Sequence, residues 1–223
     1  LQVEHPVTEL ITGIDLVEQM IRIAAGEKLT ISQDDVELKG WAIESRLYAE
    51  DPVRGFLPSI GRLTRYLSAT GDHVRVDTGV GEGDEISRFY DPMIAKLCTH
   101  GDTRDEAVSR MSHALDQTVI RGIGNNIGFL SAVMAHPRFR EGRLSTSFIA
   151  EEYPDGFAGA EISKADAQRL IAVTVAVHCL YVAREIQAPG RLIGGVAAIP
   201  QEWVVGIDGN DIDISVGTDG DVV

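Results

Sequence analysis

The amino-acid sequence predicts an α+β fold, in which strands and helices occupy separate stretches of the chain. Apolar and polar side chains alternate with a period of two over residues 41–48, as in a strand that buries one face. Apolar side chains instead recur at helical spacing over 16–24, and again after residue 104. Short connections with glycine and aspartate, such as 70–72, separate the strand-like segments. These patterns together indicate a sheet with helices packed against it.

The first element expected along the chain is a helix that begins near Thr12. Residues 1–12 are predicted to be extended or loop, because Pro6 disfavours a helical conformation in the residue before it. Thr12 is predicted to cap the helix, with the Asp15 carboxylate three positions on, where it suits the helix dipole. Gly26 is expected to end the helix.

The strand over 41–48 should present one apolar face and one polar face. The odd-numbered residues, which include Trp41 and Leu47, are mostly apolar and are predicted to face a core. Glu44, Arg46 and Tyr48 share the other face. An arginine oriented by an acidic neighbour is suited to hold an anionic ligand or a developing oxyanion. A plain solvent-exposed polar face is the alternative interpretation.

The remaining elements follow from turn and capping signals. Further strands are predicted over 62–67, 73–78, 93–99, 203–207 and 212–216, the last two forming a hairpin. Residues 103–106 have the sequence of a capping box, which opens a helix whose buried stripe continues to Val119. Another helix should run from Asn126 to residue 135, just before Pro137. Ser163 is predicted to cap a long apolar helix over 164–187.

The composition argues against several classes of protein. The chain has 20 basic and 34 acidic residues, a formal net charge of −14, which argues against binding to nucleic acid or to an anionic membrane surface. The apolar run 170–183 is too short to span a bilayer and contains His178, so no membrane partner is expected. Cys98 and Cys179 are predicted to be buried, reduced thiols. Both chain ends interrupt local patterns, and we therefore expect a piece of a longer polypeptide.

The first residues bring together chemically useful side chains. Gln2 and Glu4 are two positions apart in an extended segment, so their side chains reach the same face. The backbone amide of Val3 lies between them and is able to hold an oxygen of an anion, while Glu4 is able to accept a proton. A solvated polar tail is the alternative. A metal site at Glu4, His5 and Glu9 is conceivable, but its spacing matches no standard ligand pattern.

Several long motifs are more specific than these local patterns. They are QVEHPVTE at 2–9, WAIESRLYAED at 41–51, FLPS at 56–59, GRLT at 61–64 and YDPMIAKL at 90–97. With the helices that continue to about Ile149, they resemble the biotin carboxylase component of biotin-dependent carboxylases. Phe148-Ile149, the YPDGF sequence at 153–157, and the long helix and β segment that follow resemble the α subunits of propionyl-CoA carboxylases.

The resemblance implies a division of the chain into three parts. Residues 1–37 are expected to be the tail of an ATP-grasp domain. Residues 38–150 are expected to be the biotin carboxylase C-terminal domain, a mixed antiparallel sheet with packed helices. Residues 151–223 are expected to begin the subunit-docking domain, as a long helix followed by the start of a β-barrel.

The resemblance also implies an activity. Members of this family use ATP and bicarbonate to carboxylate N1′ of biotin, and we expect the carboxyl group to be transferred here to propionyl-CoA. Gln2, Val3 and Glu4 match the segment that holds bicarbonate, and Glu4 matches the residue thought to deprotonate it. Arg46 matches the residue that stabilises the biotin enolate and contacts bicarbonate. A carboxylase of methylcrotonyl-CoA or acetyl-CoA and a noncatalytic assembly module are the alternatives.

The resemblance extends to cofactors and partners. The parent protein is expected to use biotin, ATP and Mg²⁺, with a carboxyltransferase β subunit and a biotin carboxyl carrier domain as partners. The glycine-rich ATP lid, the nucleotide lysines, the magnesium carboxylates and the Ala-Met-Lys-Met biotinylation motif of the family are absent from this sequence. No cofactor site is therefore expected to be complete here, no metal ligands are assigned, and the isolated chain is expected to be inactive. The expected location is the bacterial cytoplasm or, in a eukaryote, the mitochondrial matrix.

Overall fold

The computed structural model describes residues 4–159, 162–187, 198–207 and 210–217. The chain forms two compact units, Leu1–Ala160 and Glu161–Val223. The helices of the first unit are α1 (Pro6–Thr12), α2 (Leu16–Ala24), α3 (Arg104–Gln117), α4 (Ile127–Ala135), α5 (Pro137–Arg140) and α6 (Phe148–Glu152). Its strands are β1 (Trp41–Tyr48), β2 (Glu50–Asp51), β3 (Leu57–Pro58), β4 (Gly61–Arg62), β5 (Arg65–Leu67), β6 (Val74–Thr78), β7 (Glu85–Ile86), β8 (Met93–Gly101) and β9 (Val119–Arg121).

An antiparallel sheet of three strands, in the order β1-β8-β6, is the centre of the first unit. The short strands pair as β2-β3, β4-β7 and β5-β9, each pair antiparallel. The α+β class and the antiparallel sheet with packed helices are therefore confirmed.

The core lies on one face of this sheet. Leu47 and Leu97 point from β1 and β8 toward Met111 and Leu115 of α3, and all four side chains are buried. The hydroxyl of Thr99 donates to a carbonyl of α3 at 2.9 Å, so this buried polar group is paired. Since the core occupies one face of the sheet, the charged residues of the same strands lie on the opposite face.

The beginning of the chain differs from the sequence-based prediction. Residues 6–12 form the helix α1, with Pro6 in its first turn, where a proline loses no hydrogen bond and its fixed φ suits the helix. Asp15, and not Thr12, caps α2, because its carboxylate accepts a hydrogen bond from the backbone of Glu18 at 2.8 Å. The hydroxyl of Thr12 instead donates to the carbonyl of Thr8 within α1.

The prediction for the two faces of β1 is correct except at its first residue. Ser45 and Leu47 are buried, as expected for the odd-numbered face. Trp41 is 54% exposed, so its assignment to the core is wrong. Its partner across the sheet is Gly101, the last residue of β8, which has no side chain to cover it.

The start of α3 and the end of α4 lie where the capping and proline signals in the sequence predicted them. Thr103 caps α3 by accepting from the backbone of Glu106, as predicted, whereas the Glu106 carboxylate accepts from the backbone of Asp102 and does not complete a capping box. The extension of this helix to Val119 is wrong, because α3 ends at Gln117 and Val119 begins β9. The helix α4 ends before Pro137, which begins the short helix α5. The predicted strand over 62–67 is divided into β4 and β5, and the five-residue helix α6 was not predicted.

The second unit consists of a long helix and a β-hairpin. The helix is α7 (Lys164–Gln187), and the hairpin pairs β10 (Glu202–Ile207) with β11 (Asn210–Ser215). The Ser163 hydroxyl accepts from the backbone of Asp166 at 3.1 Å, which confirms the predicted cap. The predicted turn residues Asp208 and Gly209 lie outside the described residues. The β-barrel predicted for this region stays a prediction.

Helix α7 has an apolar surface on more than one side. Ile171, Val175 and Val182 are buried, and the rings of His178 and of Trp203 in the hairpin pack in a T-shaped arrangement with their centroids 4.8 Å apart. Five further apolar side chains are exposed: Leu170, Val173, Val177, Leu180 and Tyr181. By length and composition, α7 is long and apolar enough to cross a membrane, a property that core helices of soluble proteins share. The prediction that this segment is too short to span a bilayer therefore does not hold for the whole helix, which is 24 residues long.

Candidate active site

The face of the β1-β8-β6 sheet opposite the core carries most of its charged side chains. The register aligns two rows across the three strands, Arg46–Lys96–Asp77 and Glu44–Cys98–Arg75. Residues directly opposite one another in an antiparallel sheet project to the same face. Three cations from three different strands therefore lie on one surface, and carboxylates lie among them.

Arg46 is the most accessible of these cations. Its Nε donates to Oε1 of Glu44 at 2.8 Å, and the Arg46 side chain is 41% exposed while that of Glu44 is 11% exposed. Hydrogen bonds with Glu44 and then Tyr48 raise the pKa of the Arg46 guanidinium above its usual value. The nearly buried carboxylate thus orients one edge of the guanidinium and leaves the exposed part accessible to an anionic ligand.

A second charged cluster connects the sheet to α1. Arg75 donates through Nη1 to Oε2 of Glu9 at 2.6 Å and through Nε to Asp77 at 2.9 Å. These bonds, first that with Asp77 and then that with Glu9, raise the Arg75 pKa. The Lys96 ammonium lies 3.7 Å from Asp77, and its side chain is only 12% exposed. The other oxygen of Glu9 accepts from the backbone of Leu16 at 2.9 Å, so one carboxylate joins α1, α2 and the sheet.

A reactive thiol is not part of this surface. Cys98 is fully buried between Glu44 and Arg75 in its row. Burial, and then the nearby Glu44 carboxylate, raise the pKa of the Cys98 thiol to about 12, so it stays protonated at neutral pH. The prediction of buried thiols is confirmed for Cys98, whereas Cys179 in α7 is partly exposed.

Glu4 lies two residues before the first residue of α1 and is accessible to solvent. Its side chain is 52% exposed, and its Oε1 lies 3.8 Å from Nε2 of His5. Within the part of the chain that the structure describes, no hydrogen bond or ion pair joins Glu4 to Arg46. Gln2 and Val3 lie outside the described residues. The assembly of Gln2, Val3, Glu4 and Arg46 into one site therefore stays a prediction.

The conceivable metal site near the start of the chain is not formed. Glu9 contacts Arg75 and the backbone of Leu16, and the Nδ1 atom of His5 is 3.1 Å from the Thr8 hydroxyl. Among the residues described by the structure, no group of three or more His, Cys, Asp or Glu is arranged to hold a metal ion.

Sequence reasoning missed the residues that surround Arg46. Lys96 is the one charged residue in the predicted strand 93–99, and Arg75 and Asp77 are two positions apart in another predicted strand. A period-two interpretation of these segments would have placed each of them on a polar face. The order and register of the strands, which bring the three residues to Arg46, have no local signal in the sequence.

A cleft runs alongside β1 and includes Arg46. Its volume is about 480 Å³, and its lining includes Glu44, Arg46, Tyr48, Phe129, Phe148 and Ile149. Charged and phenolic groups come from β1, whereas the aromatic and aliphatic groups come from α4 and α6. Such a cleft, mostly apolar with a few aligned polar groups, is typical of a binding site for a small molecule.

Comparison with known proteins identifies relatives of this chain. The biotin carboxylase C-terminal domain family matches residues 44–151, and the ATP-binding domain of the carbamoyl-phosphate synthase L chain matches residues 1–32. The propionyl-CoA carboxylase alpha chain of Ruegeria pomeroyi is 53% identical over 99% of this chain and 35% of its own length. The mitochondrial methylcrotonoyl-CoA carboxylase subunit alpha of Mus musculus is 47% identical over 70% of this chain and 22% of its own.

A solved structure shares this fold. It is the biotin carboxylase domain dimer of 2-oxoglutarate carboxylase from Hydrogenobacter thermophilus, in complex with MgADP, ADP and bicarbonate. The alignment has a TM-score of 0.69 and 45% identity, and covers 72% of this chain and 35% of the other. The present chain thus spans 35% or less of the length of these relatives.

Proposed function

We propose that this chain, whose residues 44–151 match the biotin carboxylase C-terminal domain family, is part of a longer enzyme that carboxylates biotin with ATP and bicarbonate. The observation that carries the proposal is the oriented, half-exposed guanidinium of Arg46 beside the nearly buried carboxylate of Glu44. Bicarbonate is an anion, and its activated forms are anions as well. A rigid fork of N–H donors held at a cleft is suited to bind them.

Arg46 and Glu44 have distinct roles in this proposal. Arg46 binds the anionic substrate through the N–H groups that Glu44 does not occupy, and it stabilises negative charge that develops on an oxygen atom during the reaction. Glu44 limits rotation of the guanidinium and does not contact the substrate. When bound, biotin supplies the ureido nitrogen that accepts the carboxyl group. The donors on this cleft fit an oxygen of a cyclic urea as well as a bicarbonate oxygen.

Glu4 is the general base in this proposal. Its exposed carboxylate accepts the proton of bicarbonate at one Oε atom, while Gln2 and the backbone of Val3 hold bicarbonate oxygens. The support for this role is the match of the surrounding motif to the family and the position of Glu4 two residues before α1, which packs against β1 and β8. ATP and Mg²⁺ bind mainly to parts of the longer protein that this chain does not include.

The division of the chain is also part of the proposal. We assign 1–37 to the tail of an ATP-grasp domain, 38–150 to the biotin carboxylase C-terminal domain, and 151–223 to the beginning of a docking domain that contains part of a β-barrel. The partners are a carboxyltransferase β subunit and a biotin carboxyl carrier domain. The proposed location is the bacterial cytoplasm or the mitochondrial matrix, and the support is that the relatives include a protein of the bacterium Ruegeria pomeroyi and a mitochondrial protein of Mus musculus.

Propionyl-CoA is the proposed final acceptor of the carboxyl group. The support is the identity of 53% over nearly the whole chain to a propionyl-CoA carboxylase alpha chain. Methylcrotonoyl-CoA is the second candidate, because the methylcrotonoyl-CoA carboxylase relative matches 70% of the chain. The alternative of a purely noncatalytic assembly module does not account for the orientation of Arg46 by Glu44.

The proposed activity predicts a clear difference between the full-length protein and this chain alone. The full-length protein is expected to release ADP from ATP and bicarbonate faster when free biotin is added, and with its β subunit to carboxylate propionyl-CoA in preference to methylcrotonoyl-CoA. The isolated chain is expected to show no saturable heat when titrated calorimetrically with ATP-Mg. Biotin-independent ADP release by the full-length protein would refute the activity. A micromolar Kd of the isolated chain would refute the assignment of the nucleotide site to other parts of the protein.

We further propose that the exposed apolar side chains of α7 bind the β subunit. Exposed apolar groups at helical spacing on a soluble protein typically mark an interface. Replacing Leu180, which is exposed, with aspartate is expected to weaken association with the β subunit about 30-fold, the effect of losing a residue worth about 2 kcal/mol. Sedimentation of the full-length protein with its β subunit measures this. The Gln168→Asp variant makes the same charge change away from Leu180, and equal weakening by both variants would contradict the proposal.

A further inference from the structure

Asn126 makes three hydrogen bonds to the strand that carries Arg46. Its side-chain Nδ2 donates to the carbonyl of Arg46 at 3.0 Å, and its Oδ1 accepts from the backbone N–H of Tyr48 at 2.9 Å. Its own backbone N–H donates to the carbonyl of Tyr48 at 3.2 Å. Asn126 is 5% exposed, so these bonds are protected from water. Because β1 is at the edge of the β1-β8-β6 sheet, the side-chain amide occupies the place of a peptide group from a further strand.

The three bonds lie where the pairing of β1 with β8 is irregular. The register proceeds from Arg46 opposite Lys96 to Leu47 opposite Ala95, and then shifts so that Tyr48 is opposite Met93. Such a shift weakens the ladder locally and changes the direction of the side chains beside it. Asn126 therefore supplies backbone partners at the point where the neighbouring strand holds β1 least regularly.

The Asn126 side chain does not cap the helix that it precedes. Asn126 is the residue before α4, a position where an asparagine side chain commonly accepts a hydrogen bond from the first turn. The Asn126 side chain makes no such bond. Its neighbour Asn125 accepts from the backbone of Ile127 at 3.2 Å instead. The side-chain amide of Asn126 thus forms hydrogen bonds with β1 and not with α4.

We propose that Asn126 is a positioning residue, which fixes the peptide groups on both sides of Leu47 and so holds the Arg46 guanidinium and the Tyr48 phenol beside Glu44. The inference rests on the proposed function for its catalytic consequence. Leu47 is buried in the core and β8 pairs with β1 along its other edge, so the strand persists without Asn126. The peptide groups that flank Leu47 then rotate more freely, and the side chains of Arg46 and Tyr48 move with them.

The test compares three variants of the full-length protein. Asn126→Ala removes both side-chain bonds to β1, and Asn126→Asp keeps the acceptor for Tyr48 but loses the donor to the Arg46 carbonyl. Asn125→Ala is the matched control, because it removes a bond at the same helix start without a contact to β1. The measurements are kcat and KM for ATP in biotin-dependent ADP release, melting temperature, and deuterium exchange of the peptide that contains Tyr48.

The expected result separates positioning from stability. Asn126→Ala lowers kcat about tenfold, leaves KM for ATP within about twofold, and accelerates exchange at Tyr48 at least about tenfold, whereas exchange in the centre of β8 is unchanged. Asn126→Asp has a smaller effect on kcat, and Asn125→Ala keeps the wild-type kcat. Wild-type kcat in Asn126→Ala overturns the proposal, as does an equal loss in Asn125→Ala. If the wild-type protein shows no biotin-dependent activity, the proposed function fails, while the exchange at Tyr48 still decides whether Asn126 holds β1.

Discussion

Replacing Glu4 with glutamine in the full-length protein is expected to lower kcat by about 10²–10⁴-fold, the usual contribution of a positioned general base. Glutamine keeps the size of the side chain and removes its ability to accept a proton from bicarbonate. Because the Glu4 side chain is 52% exposed and its ion-pair contact is with the adjacent His5, the free energy of unfolding should change by no more than about 0.5 kcal/mol. The measurements are kcat for biotin-dependent ADP release and the melting temperature.

Glu37→Gln is the control for this experiment. Glu37 is an exposed glutamate that pairs with Lys39, and it lies outside the proposed site. It loses the same charge, so a general electrostatic effect would lower kcat in both variants. A Glu4→Gln enzyme that retains a kcat within about threefold of wild type would show that Glu4 is not the base.

The Arg46→Lys substitution is expected to lower kcat by about 10²–10³-fold, by analogy with the loss of one oxyanion donor. Lysine keeps the positive charge but not the planar fork that contacts Glu44 and a ligand at once. KM for ATP should change much less than kcat, because Arg46 is proposed to act on the bicarbonate and biotin side of the cleft. Steady-state kinetics at saturating ATP and bicarbonate measure the effect.

Two other residues of β1, Leu47 and Trp41, provide control variants for the effect of a substitution on the free energy of unfolding. Leu47→Ala removes a buried side chain and should reduce the free energy of unfolding by about 2–5 kcal/mol. Trp41→Ala should change it little, within about 0.5 kcal/mol, because Trp41 is largely exposed. If Arg46→Lys melts as early as Leu47→Ala, the two faces of β1 are reversed, and the assignment of Arg46 to the cleft is wrong.

The parts of the fold that the sequence predicted well are those with strong local signals. The caps at Thr103 and Ser163 are side-chain bonds to the first turn of the same helix, so they are visible within a few residues. The helix α1 was missed because Pro6 excludes a helix before itself but permits one after itself. Trp41 was misplaced because alternation gives the face of a residue and not the point where the sheet ends.

The candidate site was predictable only where its members are close in sequence. Glu44 and Arg46 are two residues apart on one strand, and their shared face follows from the period of a strand. Lys96 and Asp77 reach the same face through the strand order β1-β8-β6, which depends on contacts between distant parts of the chain. Asn126 contacts β1 across about 80 residues, and a local pattern would have assigned it to the cap of α4.

The bridge between Glu9 and Arg75 also couples the first helix mechanically to the central sheet. Glu9 bonds to Arg75 on β6 and to the backbone of Leu16, and the Ile11 carbonyl accepts from the backbone of Lys39. These bonds fasten α1 and the start of α2 to the sheet, so they move with β1 as one rigid body. A displacement of α1 relative to β6 therefore has to break the bond between Glu9 and Arg75, so the residue after Glu4 adjoins a helix that is fixed to the strands around Arg46.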